Sequence, residues 1–100
     1  MDILEIRNIW NEVKLELRDE IPAHAYYSWF EGIESVGFDN NIFSLITVHQ
    51  LAPQIVRQNY YKQISSALKK RFGENVDFDL RYDADFAEKY VKEKKKEASK

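Results

Sequence analysis

The chain has no cysteine, two prolines, three glycines and no long uninterrupted apolar run among its 100 residues. Without cysteine there is no disulfide scaffold and no thiolate metal site, which suits a reducing compartment. The glycines (Gly32, Gly37 and Gly73) are scattered, so no glycine-rich loop can cradle a phosphate. No stretch approaches the roughly 20 apolar residues of a membrane helix, and Met1-Asp2 does not begin a secretory signal. The expectation is a soluble, cytoplasmic protein with no membrane association. His24 and His49 stand alone, without metal-ligand spacing, and none of the serines sits in a nucleophile motif. No enzymatic activity, cofactor or metal is therefore expected.

What the chain does have is aromatic side chains: two Trp, six Tyr and six Phe. They bury much area each, which helps a core of this size, and Tyr and Trp are also favoured at interfaces. A net charge of −2 argues against a dedicated nucleic-acid binder. The charges are nevertheless segregated. Residues 1–39 carry nine acids and three bases, whereas His49 to Gly73 holds five bases (Arg57, Lys62, Lys69, Lys70 and Arg71) and no acid. An acidic and a basic face result, each either a docking surface or an ordinary solvated helix face.

Ile3, Ile6, Ile9, Trp10, Val13 and Leu17 recur at helical spacing and predict an amphipathic helix over residues 3–20. Pro22 breaks the chain near Ile21 and opens a short helix from Ala23 to Phe30, ended by Gly32. Two strands are predicted at 33–38 and 42–48, joined by the turn Asp39-Asn40-Asn41, whose residues tolerate left-handed backbone. The second is apolar on both faces, the pattern of a central strand. One helix is predicted from about His49 to Phe72, with Pro53 in its first turn and Gly73 as its C-cap. Val76, Phe78, Leu80 and Tyr82 then alternate with polar residues as a half-buried strand. Residues 1–82 read as one α+β domain, α-α-β-β-α-β, with a three-stranded sheet covered by helices. Residues 83–100, rich in Lys and Glu, read as a charged tail or the start of a linker, with nascent helix near Phe86 and Tyr90.

Trp10 lies one step off the apolar stripe, at about 100° from Ile9. It reads either as core rim or as an exposed interface anchor. On the second reading, Trp10→Ala would leave the fold intact and abolish self-association. Trp29 reads as core and Tyr26 as half exposed. The basic third helix, interleaved with Tyr60 and Tyr61, suits weak single-stranded nucleic-acid binding or simply a solubilising surface.

The string from Ile9 to Phe30, IWNEVKLELRDEIPAHAYYSWF, resembles the start of the N-terminal domain of the DnaA family of bacterial replication initiators. That family shows Leu/Ile-Trp, an amphipathic helix, a Pro or Ser, an aromatic and a Trp, matched here by Ile9-Trp10, Pro22, Tyr26 and Trp29. The similarity continues through the hairpin, Tyr60 and the GENVDFDL strand, to about residue 82. It implies a K-homology-like fold, although the GxxG clamp of nucleic-acid-binding K-homology domains is missing. It also implies an adaptor of chromosome replication that self-associates through a face with Ile6 and Trp10. Expected partners are the replicative helicase, initiation regulator proteins and, weakly, single-stranded DNA. Ala25, Tyr26 and Leu51 would border the protein-docking patch. Ala25 stands where the family shows an acid, and Leu51 and Ile55 stand where it shows aromatics, so this patch departs from the family pattern.

Overall fold

Asp2 caps the first helix: its carboxylate accepts the Glu5 N–H at 2.9 Å, with Glu5 in the first turn where a negative charge suits the helix dipole. This helix, α1 (Ile3–Glu20), ends at Ile21, which the following Pro22 holds in extended geometry. The computed structural model describes the backbone of residues 2–98 and the side chains of residues 2–93. After Pro22 comes α2 (Ala23–Ala25), which continues as a π-helical turn over Tyr26–Phe30. There the Glu31 N–H reaches back to the Tyr26 carbonyl at 3.2 Å. The wider turn carries consecutive bulky rings, and Tyr26 stacks on Phe30 at 6.0 Å.

Strands β1 (Ile33–Asp39) and β2 (Ile42–Thr47) form an antiparallel hairpin. Asn40 and Asn41 both take positive φ, as a two-residue hairpin turn requires. A bulge at Val36 shifts the register between Ser35 and Gly37. The chain then runs through α3 (Ala52–Asn59), with Pro53 in its first turn, and α4 (Tyr61–Phe72), which ends at the left-handed Gly73. Strand β3 (Asp77–Tyr82) pairs parallel to β2, and α5 (Ala84–Ala98) closes the described chain. The sheet order is β1-β2-β3, so β2 is central as its apolar pattern predicts. The domain is α+β with a three-stranded mixed sheet.

Register explains the core. Ile33, Ser35, Phe43, Leu45, Thr47, Phe78 and Leu80 are buried on one face, the side covered by α1, α3 and α4. From α1 come Ile6, Trp10, Val13 and Leu17, spaced at four, three and four residues. Phe38 and Phe72 stack at 4.5 Å, with Phe43 beside both.

Three differences from the sequence-based expectation have physical causes. The single helix predicted over residues 49–72 is two, broken at Tyr60 (φ −128°), whose ring packs edge-on against Phe30 at 5.4 Å. Apolar periodicity runs on through such a break, so it gives no warning. Trp29, predicted as core, is only half-buried, because the π turn rotates it to the rim against His49 at 6.0 Å. The segment predicted as a charged tail or linker is helical from Ala84 to Ala98, with Asp83 accepting the Phe86 N–H at 2.9 Å as its cap. The rest of that segment, residues 99 and 100, lies outside the described residues.

Candidate functional site

The two residues predicted to anchor self-association are both interior. Trp10 is fully buried, tilted against Phe43 at 6.2 Å, and its indole N–H donates to the Ile33 carbonyl at 2.9 Å. Ile6 is buried beside it. The stripe is rotated from the predicted one: Trp10 lies in the seam, Ile9 is half-buried and Ile3 is exposed. Residues 6, 9, 13, 17 and residues 6, 10, 13, 17 both fit a helical period, and only the position of β1 selects the second. An exposed contact through the Trp10 indole is therefore corrected to a core role. Lys14 reinforces the same corner, its Nζ donating to the carbonyls of Glu31 at 3.2 Å and Ile33 at 3.4 Å. Burial pushes the Lys14 ammonium below its ordinary range, against the opposing pull of Glu34 and Glu31.

The predicted protein-docking residues separate into buried and exposed members. Ala25 and Tyr26 are buried, and burial raises the Tyr26 phenol above its ordinary range. Both side chains are turned mostly into the core and leave little free contact surface. Leu51 is 61% exposed, just before α3 and in the loop that follows β2. His49 in the same loop meets the half-buried Trp29, so this junction presents a wide aromatic ring, an imidazole and an uncovered leucine. Ile55, one turn further along α3, is half-buried.

A second exposed apolar group was not foreseen. Leu15 and Tyr27 are both exposed and, with Arg18, Asp19, Ala23 and Tyr26, line a cavity of about 360 Å³ between α1 and α2. Arg18 lies 6.0 Å from both tyrosine rings and donates to the Tyr27 hydroxyl at 3.3 Å. The signal was available: Leu15, like Leu4, is a large aliphatic residue of α1 on the side opposite the 6, 10, 13, 17 seam.

The predicted basic face is largely spoken for. Lys70 pairs with Glu16 at 2.6 Å, and Arg71 with Glu16 at 3.1 Å and Glu12 at 3.8 Å, tying α4 to α1. The Lys70 hydrogen bond leads in holding the Glu16 carboxyl below its ordinary range, and it holds the Lys70 ammonium above its own. Exposed pairs of this kind add little stability, but they cancel charge that a phosphate would need. Arg57 lies 5.5 Å from the Tyr61 ring and 5.3 Å from the Phe78 ring and donates to the Phe78 carbonyl at 3.0 Å. That leaves Lys62 and Lys69 as the members of the five with neither an ion pair nor a ring or carbonyl contact among the described residues. Both line an open groove of about 570 Å³ with Tyr61, Ser65, Ser66, Lys70 and Glu74.

Among the described residues no cluster of three His, Cys, Asp or Glu could hold a metal, and every buried polar side-chain atom has a partner. No described helix is long and apolar enough to cross a membrane. The surface features outside the core are the exposed Leu51 near His49, the Leu15–Tyr27 cavity and the groove lined by Lys62 and Lys69.

Residues 7–70 match the family model described as the DnaA N-terminal domain. A chromosomal replication initiator protein DnaA from Flavobacterium psychrophilum is 28% identical over 69 residues, 69% of this chain and 14% of that protein. The chain thus spans about a seventh of the relative's length. A crystal structure of a HobA–DnaA (domain I–II) complex from Helicobacter pylori superposes with a TM-score of 0.66. That match covers 76% of this chain and 98% of the solved one at 13% identity, a likeness of fold. With the family model matched over more than half its length, the chain belongs to the DnaA N-terminal domain family.

Proposed function

We propose that this chain is a non-catalytic protein-docking module of a chromosomal replication initiator. Its partners are the replicative helicase and initiation regulator proteins, and its docking patch is the junction of Trp29, His49 and Leu51. The observation that carries this reading is Leu51, an aliphatic side chain left 61% exposed where the π turn, β2 and α3 meet. An exposed leucine two residues from a histidine that packs on an indole has the composition of an interface core. The Helicobacter pylori protein of like fold was crystallised as a complex of DnaA with HobA, which supports a protein partner here. In a titration with the replicative helicase of the same organism, Leu51→Asp is expected to weaken binding about tenfold or more. The thermal melt should stay unchanged, since Leu51 packs on little. Unaltered affinity would remove the patch from this role. Self-association belongs to the same reading, and on α1 the exposed aliphatic side chains are Ile3, Leu4 and Leu15.

The groove lined by Tyr61, Lys62 and Lys69 favours a second reading, weak single-stranded DNA binding. Here Lys62→Ala/Lys69→Ala should remove most oligonucleotide binding seen at low salt, while Arg71→Ala, already paired with Glu16, should change it little. Fluorescence anisotropy with a labelled single strand tests this. Equal losses from both variants would mean that the whole helix face acts through net charge alone.

A further inference from the structure

The backbone of β3 alternates in direction. Asp77 donates its N–H to the Asn41 carbonyl at 2.8 Å and Asp83 donates to Thr47 at 3.1 Å, so the odd-numbered residues face β2. The N–H and C=O groups of Phe78, Leu80 and Tyr82 therefore point the other way, along the free edge of the sheet. An edge of this kind is a template for another strand unless it is blunted. At Phe78 it is blunted completely: the Asp77 carboxylate accepts the N–H at 2.8 Å and Arg57 donates to the C=O at 3.0 Å. Arg57 is held there by the Tyr61 and Phe78 rings, and the Tyr61 hydroxyl donates to the same Asp77 oxygen at 3.1 Å. Among the described residues no hydrogen bond of this sort closes Leu80 or Tyr82.

We propose that the β3 edge is a strand-pairing surface for the β3 of a second copy of this chain, in an antiparallel twofold register centred on Leu80, and that Arg57 holds it closed. Only even-numbered residues can exchange backbone hydrogen bonds across this edge, which leaves few registers. Leu80 opposite the partner's Leu80 sets Asp79 against the partner's Arg81, and Arg81 against the partner's Asp79. Asp79 and Arg81 already approach to 3.4 Å within one chain on the solvent face. The symmetric arrangement therefore makes two favourable cross-strand charge pairs. Sliding by two residues, so that Leu80 faces the partner's Tyr82, sets Arg81 against the partner's Arg81, a like-charge contact that disfavours it. The favoured register also pairs Phe78 with the partner's Tyr82, and it needs the very N–H and C=O that Asp77 and Arg57 occupy. Arg57 thus blocks the one register whose charges match.

Arg57→Met tests this, because it keeps an apolar stem over the two rings and removes the donors. Sedimentation should show self-association about tenfold or more tighter than in the unaltered chain. In that variant the amides of Leu80 and Tyr82 should become protected from hydrogen exchange, whereas in the unaltered monomer they exchange freely. Adding Tyr82→Pro, which deletes one outward N–H, or Asp79→Lys, which breaks the charge match, should return association to the starting level. Arg81→Glu on top of Asp79→Lys should restore it. A folded Arg57→Met protein that associates no more tightly than its parent overturns the proposal. So does protection of Leu80 and Tyr82 in the unaltered monomer, since that edge would already be covered.

Discussion

Trp10→Ala is expected to lower the melting temperature by about 15 °C or more, leaving a domain that is partly unfolded near physiological temperature. Two losses add. Removing a fully buried indole between α1 and β2 leaves a large cavity beside Phe43 and costs about 3–5 kcal/mol. The Ile33 carbonyl also loses its 2.9 Å donor and keeps only the Lys14 ammonium, at 3.4 Å. Against the roughly 5–15 kcal/mol that holds a domain of this size together, the sum is a large fraction. Trp10→Phe separates the two contributions. It keeps most of the ring packing and deletes the donor, so its cost should be smaller and close to that of one buried hydrogen bond, about 1–2 kcal/mol plus minor repacking. Differential scanning calorimetry on the three proteins measures both steps. A Trp10→Ala protein that melted like its parent would return this side chain to the surface, where the sequence pattern alone allowed it to be.

Gly32→Ala should cost about 1–3 kcal/mol, although the change adds a single methyl group at a residue with ordinary backbone geometry. A Cβ built at Gly32 meets Val48 Cγ2 at 2.6 Å, a distance that carbon atoms do not tolerate. Val48 cannot easily turn away, being β-branched, and its N–H is bonded to the Gly32 carbonyl at 3.2 Å. The glycine therefore lets the π turn pass directly over the end of the hairpin. Val48→Ala removes the clashing methyl and leaves the next contact at 3.7 Å, within ordinary van der Waals range. The double variant should be more stable than the sum of the single changes predicts, by about 1 kcal/mol or more on the scale of contacting pairs. Additive losses would place the cost in chain flexibility and leave no room for this contact. Since the π turn carries Trp29 and the hairpin leads into His49 and Leu51, the same close approach sets the geometry of the proposed docking patch. A loss of partner binding in Gly32→Ala, recovered in the double variant, would connect the packing to the function.

Much of the architecture was legible because the relevant physics is local. The Pro22 break, the Asn40-Asn41 turn, Pro53 at a helix start and Gly73 at a helix end each act through the backbone of their own neighbours. The alternation of Val76 to Tyr82 and the two apolar faces of β2 likewise report burial from within one strand. The break at Tyr60 was not legible: apolar periodicity runs on through it, and the Tyr60 ring packs against Phe30, from an element far earlier in the chain. The candidate site fared less well for the same reason. Trp10 and Tyr26 carry the residue types of interfaces, but whether a ring faces water depends on which side of its helix the sheet lies. The basic run from Arg57 to Arg71 reads as a charge surface only until α1 supplies Glu12 and Glu16 and β3 supplies Phe78.

By itself, then, the sequence determined the class of fold, the order of most elements, the central place of β2 and the family resemblance, since caps, turns and periodicity are written in neighbouring residues. The tertiary structure alone decided which aromatics are core and which lysines are unpaired. It also left Leu51 exposed two residues after His49, which meets Trp29, and set Arg57 against the Phe78 carbonyl at the β3 edge. Those outcomes depend on contacts between elements far apart in the chain, where residue type states what a side chain can do and only its neighbours settle what it does.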